Sequence, residues 1–107
     1  MVQAVGKTTY QMMDMKQGES VIDFIGPLGV ASHIERRKKA VLVGGGLGVA
    51  PVFPQLRRHK ELGTFTVSII GFRTKELVFW EDRFRRYSDE LLIATDDGSY
   101  GTKGFVT

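Results

Sequence analysis

The residues that most suggest chemistry are four glycines in the five-residue run Gly44-Gly45-Gly46-Leu47-Gly48, directly after the apolar segment Ala40–Val43. Glycines between a strand and a helix let a phosphate approach the backbone closely. The following helix end also offers unpaired N–H groups and a partial positive charge to the anion. The run therefore predicts a phosphate-binding loop. The alternative is a tight turn that needs positive φ angles, although such a turn requires fewer glycines.

The glycine spacing differs from two common nucleotide motifs. In a G-x-G-x-x-G fingerprint starting at Gly44 or Gly46, the last glycine would fall on Val49 or Pro51. A nucleoside-triphosphatase loop is excluded because no Lys-Ser or Lys-Thr pair follows the glycines. The candidate pyrophosphate-binding residues are Gly44, Gly45, Gly46, Leu47, Gly48, Val49, Ala50 and Pro51.

A second candidate position follows the next apolar segment, in the run Ile70-Gly71-Phe72-Arg73-Thr74. Ligands of open α/β sheets bind beyond the carboxyl ends of the strands, so Gly71 and Arg73 are candidate nucleotide contacts. An arginine in place of an acid favours a ribose 2′-phosphate, and hence NADP, over NAD. The alternative is an ion pair between Arg73 and Glu76 at the start of the next helix.

A third candidate position is the turn after the last strand, where Asp96 and Asp97 are adjacent. Neighbouring residues of an extended chain point to opposite faces, which argues against a metal site or an acid–base pair. We expect Asp97 and Ser99 to offer hydrogen bonds to a ribose or an amide, and Gly98 to allow close approach. No catalytic residue and no metal ligand is assigned.

Composition limits what these residues can do. The chain has 107 residues, of which 42% are hydrophobic, which suits one domain with a core. The net charge of +3 is mild and suits a small anionic ligand without requiring nucleic acid. The absence of cysteine excludes disulfides and Cys-held clusters within these residues. No signal peptide or membrane-spanning run is found, so we expect a cytoplasmic location and no membrane partner.

Strands alternating with helices predict an α/β fold with a parallel sheet flanked by helices. The periodicity of the apolar residues and the turn signals predict the following elements: strands at Val21–Ile25, Ala40–Val43, Thr64–Ile70 and Leu91–Thr95, helices at Val49–Leu62 and Leu77–Tyr87, and a helix start at Gly101–Val106. An aromatic and apolar stripe at helical spacing is interpreted as core facing the sheet: Trp80, Phe84, Tyr87 and Leu91.

Four motifs taken together resemble the ferredoxin–NADP reductase superfamily. They are Gly-Pro-Leu-Gly, Gly-Gly-Gly-Leu-Gly-Val-Ala-Pro, Ile-Gly-Phe-Arg-Thr-Lys-Glu-Leu and Thr-Asp-Asp-Gly-Ser-Tyr-Gly-Thr-Lys-Gly, in this order. The chain is most similar to the branch that holds the electron-transfer subunits of dihydroorotate dehydrogenase, sulfide dehydrogenase and NADH-dependent ferredoxin:NADP oxidoreductase. The resemblance covers nearly the whole chain.

The resemblance implies a β-barrel that binds FAD, followed by a Rossmann-like NAD(P)-binding domain, with hydride passing between nicotinamide and flavin. On this basis residues 1–38 are the end of the barrel and its connection, and residues 39–107 are an NAD(P)-binding domain incomplete at its C-terminus. A turn at Gly6, Lys7, Thr8 and Thr9 would touch the FAD pyrophosphate, and Asp97 and Gly98 would lie toward the nicotinamide half. The implied partners are the FAD barrel of the same subunit and a larger redox subunit.

The chain departs from the family in three respects. Most of the barrel is missing. The family's Arg-x-Tyr-Ser/Thr flavin motif occurs only as Arg85-Arg86-Tyr87-Ser88, inside a predicted helix, and is interpreted as coincidence. The cysteine cluster of this branch is missing, so an iron–sulfur cluster would lie outside these residues. We therefore expect the chain alone to be inactive. The alternatives are a non-catalytic nucleotide-binding or interaction module, and a stand-alone flavin reductase.

Overall fold

The structure is a computed structural model that describes residues 1–107 and forms two compact units, Met1–His33 and Ile34–Thr107. The N-terminal unit contains one helix, and the C-terminal unit contains four strands and two helices. In chain order the elements are α1 (Lys7–Met13), β1 (Lys39–Gly45), α2 (Val49–Glu61), β2 (Phe65–Phe72), α3 (Glu81–Tyr87), β3 (Glu90–Thr95) and β4 (Thr102–Lys103). Short 3₁₀ turns occupy Gly46–Gly48 and Lys75–Leu77.

The C-terminal unit is built on one parallel sheet with the strand order β1-β2-β3-β4. The predicted α/β fold with a parallel sheet is therefore confirmed. Gly45 pairs with Gly71, and Gly71 pairs with Ala94. This register aligns the carboxyl ends of the first three strands at one edge of the sheet, where parallel sheets of this kind bind their ligands.

The core lies between the sheet and the helices α2 and α3, which pack on the same face. Buried side chains from every layer meet there: Leu42, Val49, Leu56, Ile70, Phe72 and Phe84. The predicted stripe is confirmed as core, because Phe84 is fully buried and the three other members pack against this cluster. The ring of Phe53 completes an aromatic group, with centroids 5.5–5.8 Å from those of Trp80, Phe84 and Tyr87.

Polar side chains that are buried in the sheet all have hydrogen-bond partners, as buried hydroxyls require. The Thr66 hydroxyl donates to the Tyr87 carbonyl at 2.8 Å, and the Ser68 and Ser88 hydroxyls are 2.6 Å apart. Asp89 accepts from Lys60 Nζ and from the Thr66 amide, both at 2.7 Å. These contacts fasten the start of β3 to α2 and β2.

Two predicted elements of the sheet region are revised. Helix α3 begins at Glu81 instead of Leu77, because Trp80 adopts a left-handed conformation with φ 58° that interrupts the helix. The expected helix start at Gly101–Val106 is wrong, since residues 102–103 extend to pair with β3. Tyr87 and Ser88 of the coincidental flavin motif serve packing and a hydrogen bond to Ser68.

The N-terminal unit differs more from expectation. Val21–Ile25 is not a strand: the unit contains no strand to pair with it, and Ile22 and Phe24 remain more than nine-tenths exposed. No barrel strand is therefore found in this unit. The expected turn at Gly6–Thr9 is the beginning of α1, because Thr9 Oγ1 accepts from the amides of Val5 and Gly6, each at 2.9 Å. None of the helices in the chain is both long and apolar enough to cross a bilayer.

Replacement of Leu56 by Ala tests whether the core lies on the face of the sheet that the helices cover. Leu56 is fully buried between α2 and the sheet, so Leu56→Ala should lower the free energy of unfolding by about 2–5 kcal/mol. The matched control is Leu92→Ala, because Leu92 is 54% exposed, and it should change stability by no more than about 1 kcal/mol. Urea denaturation of both variants measures the difference, and equal losses would contradict the assignment of the core to the helix-covered face.

The Asp89 contacts make a prediction about pH. Hydrogen bonds from Lys60 and from the Thr66 amide lower the pKa of Asp89 below its ordinary 3.8. A carboxylate whose pKa is lowered in the folded state stabilises the fold above its unfolded pKa and loses this effect as the pH falls through its folded pKa. Asp89→Asn should therefore be less stable than wild type near neutral pH, and the two should converge in acid. Urea unfolding across that range measures it, and a pH-independent difference would contradict the prediction.

Candidate nucleotide-binding site

An open cleft of about 300 Å³ lies at the carboxyl edge of the sheet. Residues from three strand ends and from the segment after β4 line it: Gly45, Gly46, Gly71, Phe72, Arg73, Asp96, Phe105, Val106 and Thr107. The parallel register brings the strand ends together, although they lie far apart in sequence. The cleft therefore combines exposed backbone, one guanidinium, one carboxylate and an apolar wall.

Gly44 and Gly46 of the glycine loop are required for different structural reasons. A Cβ on Gly44 would lie 3.0 Å from Val49 Cα, so glycine at this position allows α2 to leave β1 closely. Gly46 has φ +55°, and a Cβ there would meet no atom within 4 Å. The space beside Gly46 is therefore open, and its backbone favours glycine.

The N-terminus of α2 adjoins this open space. No side chain caps the helix, because its N-cap residue is Gly48, and its first turn has no acidic residue. An anion near the first turn would meet the positive end of the helix dipole without competition from a carboxylate. Val49, Ala50 and Pro51 form this first turn, and Val49 is buried in the core.

Gly71 contacts protein instead of open space. A Cβ at this position would overlap Val106 Cγ1, and a Cβ at Gly45 would lie 3.7 Å from Val106 Cγ2. The side chain of Val106 therefore packs on the paired glycines of β1 and β2 and forms part of the cleft wall. The lack of a side chain at Gly71 therefore makes room for Val106, which belongs to the segment after β4.

Arg73 is exposed at the mouth of the cleft and makes no ion pair with Glu76. The pKa of Glu76 is lowered by hydrogen bonding to its own backbone amide and to the Thr74 side chain, and not by Arg73. Of the two alternatives for Arg73, the ion pair is absent from the structure. The guanidinium is available to a ligand in the cleft.

The sequence predicts that Asp97 and Ser99 bond to a ligand, but in the structure they form hydrogen bonds with each other and with the backbone of the chain. Asp97 Oδ1 accepts from the Ser99 amide at 2.9 Å and from the Ser99 hydroxyl at 2.6 Å. The Ser99 hydroxyl accepts in turn from the Lys75 amide at 2.8 Å. The Ser99 hydrogen bonds lower the pKa of Asp97. The turn after β3 is thereby joined to the loop after β2.

Tyr100 makes a second connection between these loops. Its ring lies 5.6 Å from Lys75 Nζ, and its hydroxyl donates to both oxygens of Glu81, at 2.8 and 2.9 Å. The bond to Glu81 raises the pKa of Tyr100. Arg85 pairs with the same carboxylate at 2.8 Å. Tyr100 is therefore fixed between α3 and the loop after β2.

The structure brings four of the sequence-derived candidates, Gly45, Gly46, Gly71 and Arg73, to one cleft. Asp97 and Gly98 do not line it. Gly98 has φ +74°, and a Cβ there would lie 3.1 Å from the Lys103 side chain. The group that approaches Gly98 closely is therefore a side chain of the same chain. Gly6, Lys7, Thr8 and Thr9 belong to the other compact unit, at the start of α1.

Sequence reasoning missed Asp96 and the residues after β4 that line the cleft. Asp96, not Asp97, lines the cleft. The alternation along β3 continues from Ala94 to Asp96 on one face and could have indicated this choice. Phe105 gave no signal, since its position depends on the path of the chain after β4.

Two curated relatives match almost the whole of this chain. The chain is 44% identical over 106 residues to the dihydroorotate dehydrogenase B (NAD(+)) electron transfer subunit homolog of Thermotoga maritima. It is 42% identical over 107 residues to the dihydroorotate dehydrogenase B (NAD(+)) electron transfer subunit of Bacillus cereus strain Q1. These matches cover 99% and 97% of this chain.

A solved structure also matches, with a TM-score of 0.90 and 39% sequence identity. It is that of the NADH-dependent reduced ferredoxin-NADP oxidoreductase, and the match covers 98% of this chain. This chain is a homologue of electron transfer subunits of these oxidoreductases. This chain spans only 37–40% of the length of these relatives and 38% of the solved chain. No protein-family model matches this chain.

Proposed function

We propose that the C-terminal unit, Ile34–Thr107, is the NAD(P)H-binding part of a flavin-dependent electron transfer subunit. The observation that carries the proposal is the open space beside Gly46, next to the uncapped N-terminus of α2 and in the same cleft as Arg73. Exposed backbone, a helix N-terminus and a free guanidinium are the groups that bind phosphates. The homology to electron transfer subunits supports the same assignment.

In this proposal the loop Gly44–Gly48 and the first turn of α2, Val49–Pro51, hold the nucleotide pyrophosphate. Arg73 lies at the end of the neighbouring strand, within the same cleft, and would bind a 2′-phosphate on the ribose. Asp96 and the exposed ring of Phe105 complete the walls. Asp97 and Gly98 shape the turn toward the nicotinamide half without lining the cleft.

When bound, the nicotinamide would supply the hydride chemistry, and the protein's part is to orient it and to shield it from water. FAD would belong to a barrel domain of the same subunit and receive the hydride, and a larger redox subunit would take the electrons onward. In the N-terminal unit the residues Gly6–Thr9, at the start of α1, would contact the FAD pyrophosphate, but one helix start cannot enclose an isoalloxazine ring. We therefore assign no flavin-enclosing role to this unit alone.

Replacement of Gly46 by Ala tests the phosphate assignment. The added methyl group enters the open space beside the loop and should weaken NADH and NADPH alike by about tenfold or more, the loss expected for charge-assisted hydrogen bonds. Gly63→Ala is the matched control, because Gly63 also has positive φ, at +81°, but lies outside the cleft. NMR titration of amide shifts measures both affinities. Wild-type affinity in Gly46→Ala would contradict the loop assignment.

Replacement of Arg73 by Ala tests the selectivity assignment. A hydrogen bond to a charged partner contributes about 1.5–3 kcal/mol, so Arg73→Ala should weaken NADPH by roughly tenfold or more and leave NADH nearly unchanged. Arg86→Ala is the control for loss of one positive charge, since Arg86 is exposed on α3 and does not line the cleft. Isothermal titration with both nucleotides provides the measurement. Equal losses for NADH and NADPH would assign Arg73 to the shared part of the nucleotide.

A further inference from the structure

Val106 packs on the far face of the sheet, opposite α2 and α3. Successive residues of a strand point to opposite faces, so Gly45 faces away from Gly44, whose Cβ position meets Val49 of α2. Gly45 pairs with Gly71 of β2, and a Cβ on either glycine would contact a methyl group of Val106. The contact therefore lies on the far face, at the carboxyl edge of the sheet.

The sheet offers a row of small residues at this edge. Gly45, Gly71 and Ala94 are register partners on β1, β2 and β3. The next row on the same face, two residues earlier along each strand, holds larger side chains: Val43, Ile69 and Leu92. A branched side chain fits above the small row, and Val106 occupies that position, where it is half-buried.

The packing of Val106 fixes a segment that has few other attachments. The Gly104 amide donates to the Thr95 carbonyl at 2.9 Å, which holds the chain just after β4. Phe105, Val106 and Thr107 make no hydrogen bond to the rest of the chain, and Phe105 and Thr107 are exposed. The contact of Val106 with the glycines therefore sets the course of residues 105–107.

The same segment forms a wall of the candidate nucleotide cleft. Residues 105–107 line the cleft together with Gly46 of the proposed phosphate loop. Ordering a mobile wall during binding would reduce affinity, whereas a wall that is already in place avoids this loss. The position of Val106 should therefore affect how tightly the cleft binds its ligand.

We propose that Val106 is a positioning residue, which sits on Gly45 and Gly71 and thereby holds residues 105–107 in place as a wall of the nucleotide cleft. This inference rests on the proposed binding of NAD(P)H in that cleft. It gives Gly71 a role other than the direct nucleotide contact that the sequence suggests. The glycine makes room for a side chain of the protein, and that side chain places the wall.

The test is a double-mutant cycle between Gly71 and Val106, read by NMR titration of the full chain with NADH. Gly71→Ala puts a methyl group where Val106 Cγ1 lies, so it should displace the segment and weaken NADH binding roughly three- to tenfold. Val106→Ala removes the packed methyl groups and should weaken NADH binding by about two- to fivefold. In the double variant the new methyl group has room, because Val106 Cβ lies 3.5 Å from it. The double variant should therefore bind NADH as Val106→Ala does.

A control and two further measurements separate positioning from stability. Val41→Ala is the matched control, because Val41 also lies on the far face of β1, is 56% exposed and does not line the cleft. It should leave NADH affinity unchanged. Nuclear Overhauser effects between the Val106 methyl protons and the Gly71 α-protons report the packing without nucleotide and should be present in the wild type. Thermal unfolding reports any loss of fold; if Gly71→Ala does not fold, equal NADH affinities of Val106→Ala and Val41→Ala would overturn the inference.

The outcomes distinguish the inference from the proposal on which it rests. If the wild-type chain shows the Val106 contact but does not bind NADH, the proposed function is wrong and the positioning role falls with it. If Gly46→Ala weakens NADH binding but neither Gly71→Ala nor Val106→Ala does, the positioning role alone is overturned. A loss in Gly71→Ala that persists in the double variant would also overturn it, because Gly71 would then make room for the nucleotide itself.

Discussion

The close departure of α2 from β1 at Gly44 is the constraint on which the rest of the C-terminal unit depends. A Cβ at that position would press against the backbone of Val49, so any other residue would push the helix away from the strand. The close turn lets Val49 and Leu56 reach the core with Leu42 and Ile70. The same turn directs the N-terminus of α2 toward the carboxyl edge of the sheet. Packing and the anion-binding geometry therefore have one cause.

Much of the sheet could be predicted because its signals are local. Apolar runs, the glycines after β1 and the helical stripe of aromatic residues fix the order of β1, α2, β2, α3 and β3 with boundaries close to those observed. The errors fall where local pattern competes with pairing or packing. Val21–Ile25 has the composition of a strand but no partner strand in its unit, and within the expected helix start at Gly101–Val106 the residues Thr102–Lys103 pair with β3.

The candidate site was predictable only in part, for a related physical reason. Gly46 and Arg73 follow strands directly, so a parallel sheet must bring them to one edge. Asp97 was assigned to the ligand because it follows the last strand, but strand alternation directs Asp96 into the cleft instead. The hydrogen bond from the Lys75 amide to the Ser99 hydroxyl spans 24 residues, and no spacing rule in the sequence anticipates a contact between two loops of that separation.

Three groups in the loops after β2 and β3 and beside them have shifted pKa values, and each shift has a hydrogen bond as its main cause. A general acid or base works best with a pKa near the operating pH. The hydrogen bonds to Asp97 and Glu76 lower their pKa values, which keeps both carboxylates ionised near neutral pH. The pKa of Tyr100 is raised, which keeps its hydroxyl protonated as a donor to Glu81. Each group is held in its ordinary charge state by the contact through which it fixes a loop. Such groups contribute through geometry, and that is the protein's share of the work wherever a bound cofactor carries the chemistry.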